Sequence, residues 1–510
     1  MGLGIEQTAS VLPRSGFASS YRGPGASGRS QDAQALLAFG HAHAGKRATT
    51  NQDMTQALSD YYRVPERLLG RVVASNFSDD VGFFRFGPNI ICYGQSASGV
   101  AQQVENAGRY DALRRVTTNG SDICLPFDLT QVIENLRREH YVEAVALGRD
   151  EALSREWMLK AYYFIRDVLP VSVRQQIQRV YFSDWKIRSF PMWPVDFTVD
   201  NLHSEILRLM MGAAHMERVP FIWYWPDGAP NCLVLTHDVE TSAGRDFTPQ
   251  LMDIDESYGF KASYQVVPEK RYDVPREYIE SFRSRGLEFN IHDLNHDGCL
   301  YLEREEFLRR AKKINHYVRH YGASGFRAGS MYRRIDWFDE FEFSYDMSLT
   351  NVAHLEPQRG GCCTVFPFFL GKILEIPLTT SQDYSVFHIL NDYSIDLWKK
   401  QIDLIRKKNG LLSFLTHPDY LITPRNRKIY ESLLGYLRDM VDHEKIWAAL
   451  PCEVDQWWRT RSQLQLIQKG GEWEIEGPGK EKARIAYAIR EGDRLNYEVV
   501  GAPAHEGSHL

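Results

Sequence analysis

From residue 231 onward, short apolar runs alternate with stretches whose apolar residues recur every three or four positions. "CLVLT" (232–236) is a strand-like run that ends in "HDVE". "PQLMDIDESYG" follows with helical spacing and stops at Gly259. "KASYQVV" predicts the next strand. "PREYIESFRSRG" predicts a helix that opens at Pro275, carries Tyr278, Ile279 and Phe282 on one face and stops at Gly286. "LEFNI" predicts another strand. "EREEFLRRAKKINHYVRHYG" sets Phe307, Ala311, Ile314 and Val318 on one face before Gly322. "SGFRAG", the helix "DLWKKQIDLIRKKNG" and the strand "LLSFLTH" continue the series. Strand–helix alternation of this kind implies parallel β/α units. Carried to about residue 460, it predicts an open or distorted barrel of about seven strands.

The rest of the chain is patterned differently. Residues 1–55 are rich in Gly, Ser, Ala and Gln without periodicity and predict a flexible tail. Residues 56–230 predict a mixed α/β accessory region. In it "GFFRFGPNIICYG" reads as a hairpin turning at Gly87-Pro88-Asn89, and "DLTQVIENLRREHYV" and "SREWMLKAYYFIRDVL" read as amphipathic helices. "FIWYWPDG" reads as a packed aromatic junction. Over 461–510, "GEWEIEG", "ARIAYAI" and "LNYEVV" alternate with period two and predict a small antiparallel β appendage.

Composition narrows the function classes. The 510 residues are 43% hydrophobic and 25% charged, with a net charge of −6, so there is no basic footprint for nucleic acid. No apolar run approaches the roughly 18 residues needed to span a membrane. The opening "MGLGIEQTASVLPRSGFASS" lacks the pattern of a secretory signal, and "MGLGIE" lacks the Ser or Thr of a myristoylation motif. Seven cysteines with no CxxC pair fit reduced thiols and a cytoplasmic location, and the adjacent Cys362 and Cys363 read as packing residues.

Candidate chemistry gathers where the predicted strands end. His237, Asp238 and Glu240 follow "CLVLT", His292 and His296 follow "LEFNI", and Arg327 follows "SGF". Asp383 follows "ILEIPLTTSQ", and His417 follows "LLSFL". In parallel β/α folds these ends share one face of the sheet. The segment "LEFNIHDLNHDGCLYLEREEF" admits two readings. Counted from Asp293 it resembles a calcium loop, with Asp293, Asn295, Asp297 and Gly298, but Arg304 stands where the bidentate glutamate belongs. Counted from His292, the four-residue spacing to His296 puts two imidazoles on one helical turn, as two ligands of one metal require. A carboxylate from the first strand would be a third ligand, leaving an open position suited to catalysis.

"LTHDVE", "HDLNH", "GFRAG" and "FLTHP" together resemble the polysaccharide deacetylases, the NodB-like superfamily that includes carbohydrate esterase family 4. The resemblance covers about residues 231–460. It implies an α/β fold, a distorted (β/α) barrel of the NodB type, and a metal-dependent hydrolase that removes acetyl groups from an acetylated sugar or polysaccharide precursor. It also implies a divalent metal, zinc first. By the same resemblance Asp238 matches the catalytic base, Arg327 the arginine that holds it, and His417 the histidine that protonates the leaving group. Asp383 matches the aspartate behind that histidine, and His292 and His296 match the metal histidines. A backbone N–H after Arg327 would help to hold the oxyanion. Many members carry a second aspartate next to the base; here that position is Val239, and Glu240 stands where one branch has the metal aspartate, so either Glu240 or Asp238 could be the metal carboxylate. "AGSM" after Arg327 replaces a commoner proline-containing motif. The departures keep two alternatives in view: an amidohydrolase opening a cyclic imide or amide on the same fold, and a non-catalytic carbohydrate-binding member.

Overall fold

The computed structural model describes residues 54–501 apart from 66–67, 75–76, 98–109, 143, 145–175 and 178. The helix expected over 154–169 and the tail expected over 1–55, up to residue 53, lie outside them. Met54 and Thr55 already belong to the fold: Met54 is buried, and Thr55 begins α1 (Thr55–Tyr62) and accepts from the Val72 N–H at 2.9 Å through its hydroxyl.

In the first region, β1 (Val72–Ala74) pairs with β5 (Asp122–Leu125), whose other edge takes β4 (Thr117–Asn119). The expected hairpin forms from β2 (Val81–Arg85) and β3 (Ile91–Gln95), turning through Gly87 at φ 77°. Asp128 caps α2 (Leu129–Arg137) by accepting from the Gln131 N–H at 2.9 Å. Leu129, Val132, Ile133 and Leu136 of α2 are buried, as their spacing requires. α3 (Thr198–Ala213) and β6 (Arg218–Ile222) lead into "WYW", where Trp223, Tyr224 and Trp225 are all buried. Tyr224 packs on Phe366 at 4.5 Å between ring centroids, which fits the packed-junction reading.

The regular part of the sequence becomes a curled sheet with helices outside. Its elements in order are β7 (Cys232–Val239), α4 (Ser242–Ser257), β8 (Ser263–Val266), α5 (Arg276–Ser284), β9 (Glu288–His292) and α6 (Arg304–Tyr321). Then come β10 (Gly325–Arg327), β11 (Tyr345–Asp346), β12 (Phe368–Leu370), β13 (Ile373–Glu375), α7 (Asp396–Arg406) and β14 (Leu411–Thr416). The short helix α8 (Pro418–Leu421), α9 (Pro424–Glu444), β15 (Trp447–Ala448) and α10 (Pro451–Gln463) follow. The sheet order is β12-β13-β11-β10-β9-β8-β7-β14, with β15 also on β7, and only β12 runs antiparallel. That makes nine strands against about seven expected; β11, β12 and the two-residue β15 correspond to none of the runs named from the sequence. All eight residues of β7 are buried, because helices cover one side and the interior of the curl the other.

Strand pairing proper stops between β13 and β14. Pro377, without an N–H, falls just past β13. Thr379 and Thr380 bridge the gap: Ser413 N–H donates to Thr379 Oγ1 at 3.0 Å, the hydroxyls of Thr379 and Thr380 donate to the carbonyls of Leu411 and Ser413 at 2.7 Å, and the Thr380 N–H donates to the Ser413 carbonyl at 3.3 Å. The carboxyl ends of β7, β9, β10 and β14 therefore open on one mouth.

At the end of the chain, β16 (Gln465–Lys469) and β17 (Glu472–Glu476) form one hairpin and β18 (Ile485–Glu491) and β19 (Arg494–Val499) another. β18 also pairs with β6, so its sheet includes a strand from far earlier in the chain. Cys362 and Cys363 are fully buried, and burial raises both thiols well above their ordinary range, which suits packing rather than redox chemistry.

Candidate metal centre

Alternation along β7 sorts its polar residues onto two faces. His237 points outward, where Nε2 meets Asp255 of α4 at 2.9 Å and Nδ1 meets Thr416 Oγ1 at 2.8 Å. Thr236 and Asp238 point inward. Register with β8 carries β7 on to Val239, so Asp238 lies within the strand and Glu240 is the first residue beyond it.

Arg327, at the end of β10, is fully buried and organises this face. Its Nη1 donates to Asp238 Oδ1 at 2.8 Å and to Thr236 Oγ1 at 2.9 Å, and its Nε donates to the Met347 carbonyl at 3.0 Å. Burial pushes the Asp238 carboxyl up, but Arg327, followed by His292 and His417, holds it below its ordinary value.

His292 ends β9, in register with Arg327. Its Nδ1 lies 3.1 Å from the Arg327 carbonyl, which can only accept, so Nδ1 carries the proton and Nε2 of the neutral ring carries the lone pair. The two histidines do not share a helical turn, which corrects the geometry expected from their spacing. His292 belongs to a strand, and the chain then turns through Asp293 at φ 56°, His296 at φ 51° and Gly298 at φ 73°. Three left-handed residues in six exclude a helix. The imidazoles nevertheless converge, with ring centroids 4.9 Å apart.

The loop is held from outside. Arg310 of α6 grips Asp297 at 2.6 and 2.9 Å and reaches Asn295 Oδ1 at 3.3 Å. Arg271 donates to the carbonyls of Asn295 and His296. Asp293 accepts from the Leu294 N–H at 2.6 Å. The acids that suggested a calcium loop are thus engaged in fixing the turn, and do not converge on a cation.

Glu240 lies among three imidazoles. Its Oε1 is 2.9 Å from His296 Nε2, 3.5 Å from His292 Nε2 and 3.4 Å from His417 Nε2. Burial opposes its charge, yet His296, His292 and His417 hold the carboxyl well below the ordinary range. Apart from the Glu240 oxygen, neither His292 Nε2 nor His296 Nε2 has a hydrogen-bond partner, although both atoms are buried. Among the described residues, Glu240, His292 and His296 form one group of atoms within 4.8 Å of one another, and Asp238, Glu240 and His417 form another. Two buried imidazole nitrogens beside one carboxylate are a donor set that fits a divalent cation. Of the two acids, Glu240 lies closer to these imidazoles, since Asp238 Oδ1 is occupied by Arg327 and Oδ2 is 3.6 Å from His292 Nε2.

His417 follows β14. Its Nδ1 is 2.6 Å from Asp383 Oδ1, and its N–H donates to Asp383 Oδ2 at 2.8 Å. Burial alone would lower the imidazole, but Asp383 and Glu240 hold it well above the ordinary histidine range. The N–H of Ala328, next after Arg327, donates to Ser348 Oγ at 2.8 Å, so it is not free to hold an oxyanion.

Several residues here escaped the sequence analysis. Thr236 had a signal, lying two positions before Asp238 on the same face. Gly329 had none. A Cβ there would meet Asp293 Oδ2 at 2.6 Å and His296 Cδ2 at 3.0 Å, so the β10 loop approaches the histidine loop too closely for a side chain. Arg310 and Arg271 are likewise invisible without the fold.

No protein-family model matches the chain, and no curated protein does. Among solved structures it is similar to a protein assigned as a polysaccharide deacetylase from Mycobacterium smegmatis, at 17% identity and a TM-score of 0.39, over 49% of this chain and 98% of that one. It is also similar to the chitin deacetylase of Colletotrichum lindemuthianum, at 15% identity and a TM-score of 0.28, over 45% and 89% of the chains. A carbohydrate esterase family 4 pseudoenzyme from Bacillus anthracis overlaps at 14% identity and a TM-score of 0.27, over 44% and 65%.

Proposed function

We propose that this protein is a metal-dependent deacetylase of the polysaccharide deacetylase (NodB-like) type, acting on an acetylated sugar or sugar conjugate, with its chemistry in residues 231–460. The observation that supports this most is the contact of one Glu240 oxygen with three buried imidazoles, two of which, His292 and His296, have no other partner at Nε2. Glu240, His292 and His296 would hold the cation, with zinc the first expectation from two nitrogen donors and one oxygen donor. When bound, it would supply Lewis-acid polarisation of the acyl oxygen and activation of water.

The chain's own residues divide the proton work. Asp238, fixed at Oδ1 by Arg327, has Oδ2 left to accept a proton from the attacking water. His417, fixed at Nδ1 by Asp383, donates from Nε2 to the leaving nitrogen or oxygen as the bond to the acyl carbon breaks. The products are acetate and the freed amine or alcohol. Burial of both groups excludes bulk water from these transfers.

The test is acetate release by the zinc-loaded chain from a panel of N- and O-acetylated sugars. Turnover should occur on at least one of them, and D238N and H417A should each lower it by about 10²- to 10⁴-fold without loss of metal. A protein carrying stoichiometric metal and inert across the panel would overturn the reading.

A further inference from the structure

Exposed apolar side chains are concentrated in one segment. Eight large hydrophobic residues are exposed among the described residues, and four of them, Ile177, Val180, Ile187 and Met192, fall within 16 positions. Val180 and Ile187 are 64% and 69% exposed. Isolated exposed aliphatics are ordinary on a protein surface, but a concentration of them marks an interaction surface.

The same segment is cationic. Between 176 and 193 it carries Arg179, Lys186 and Arg188 against the single acid Asp184, in a chain whose net charge is −6. Half-buried Tyr181, Trp185 and Trp193 lie at its border, where they pack on the buried trio Phe182, Leu355 and Ile389. Lys186 stands over the Trp185 ring at 5.5 Å. Aliphatic tips pointing outward, the exposed Lys186 with half-buried Arg179 and Arg188 beside them, and amphipathic rings at the rim are the attributes of a surface that enters the headgroup layer of a bilayer. A nucleic acid would satisfy the cations and leave the aliphatics in water, and a neutral protein partner would leave the cations unmatched.

The segment also borders the candidate centre. Arg179 Nε donates to the His388 carbonyl at 2.9 Å. Tyr384, which follows Asp383, packs against the same trio and lies 6.2 Å from Tyr420, whose ring is 4.9 Å from His417.

We propose that the segment 176–193, through exposed Ile177, Val180, Ile187 and Met192 with Arg179, Lys186 and Arg188, docks this chain on an anionic bilayer surface. Docking there sets the Asp383–His417 side of the centre beside the membrane, within reach of a sugar held at the bilayer. The inference goes beyond the deacetylase reading and is measured without turnover, so either can fail alone.

The experiment is sedimentation of the full chain with phosphatidylcholine vesicles, with and without about one third phosphatidylglycerol. Binding is expected to the anionic vesicles only, weakening as salt is raised. V180D/I187D should lower the partition coefficient by about tenfold or more, and K186E by about fivefold. V180S/I187S and K186Q serve where the charged variants change the melting temperature. Three results would each overturn the proposal: no binding to anionic vesicles at low salt, wild-type binding by every variant, or a change in self-association on gel filtration as the variants' only effect.

Discussion

A carboxylate such as Glu240, flanked by three imidazoles, is where single substitutions separate metal binding from proton transfer. Glu240→Ala and His292→Ala each remove a proposed ligand, and elemental analysis should find bound zinc falling from about one per chain to a small fraction. Asp383→Asn should leave the metal in place, because Asp383 bonds to the His417 ring and N–H and to the Tyr384 N–H, and to none of Glu240, His292 and His296. It removes the charge that holds His417 above its ordinary range, so acetate release should fall by about 10²- to 10⁴-fold at unchanged metal content. Away from the mouth, burial pushes the Glu288 carboxyl up to about 7, against a partial opposing effect from Asn290. A carboxyl raised on folding contributes stability that is complete below its unfolded pKa and is lost as pH rises through the folded value. Thermal melts should therefore show the wild type losing stability between about pH 5 and 8, and E288Q losing less, with up to about 3 kcal/mol between their changes.

Elements decide whether the loop bearing His296 keeps its shape. Two non-glycine residues in left-handed conformation cost of order 1 to 3 kcal/mol each, and the loop tolerates this because α6 grips it through Arg310. Arg310→Ala should lower zinc affinity by about 10- to 100-fold while leaving the helical content unchanged, as titration against a competing chelator and circular dichroism would show. The helix boundaries were legible in the sequence because their cues are local: Gly322 at φ 60° ends α6, and Pro275 precedes α5. The conformation of "HDLNH" was not legible. Four-residue spacing suits a helical turn, and only the pairing of His292 with Arg327 and the outside grip of α6 impose a strand followed by a turn. The two faces of β7 follow from period two, but which face is the interior depends on α4 placing Asp255 behind His237.

Across the whole molecule, the accessory region is tied to the mouth by a buried ion pair. Glu139, just past α2, accepts from Arg333 Nε at 2.7 Å and also from the Gly361 N–H at 2.5 Å, while Arg333 Nη1 donates to the Met331 carbonyl at 2.7 Å. Both side chains are almost fully buried. Removing one partner leaves an uncompensated buried charge, so Glu139→Ala should cost about 3 to 5 kcal/mol in denaturant unfolding. The double replacement E139M/R333L should recover most of that loss, since an apolar pair of similar volume leaves no charge behind. No helix among the described residues is long and apolar enough to cross a membrane.

The sequence by itself determined the strand–helix alternation from β7 to α6, the pair α7–β14, and the residue types at the strand ends, because hydrophobic period, stop residues and alternation act between near neighbours. The fold decided what those ends become. It set Glu240 closer than Asp238 to the paired imidazoles, engaged the calcium-like acids with Arg310, required Gly329 to be bare and joined β18 to β6. Each of these depends on groups distant in the chain meeting in space, which no local pattern encodes.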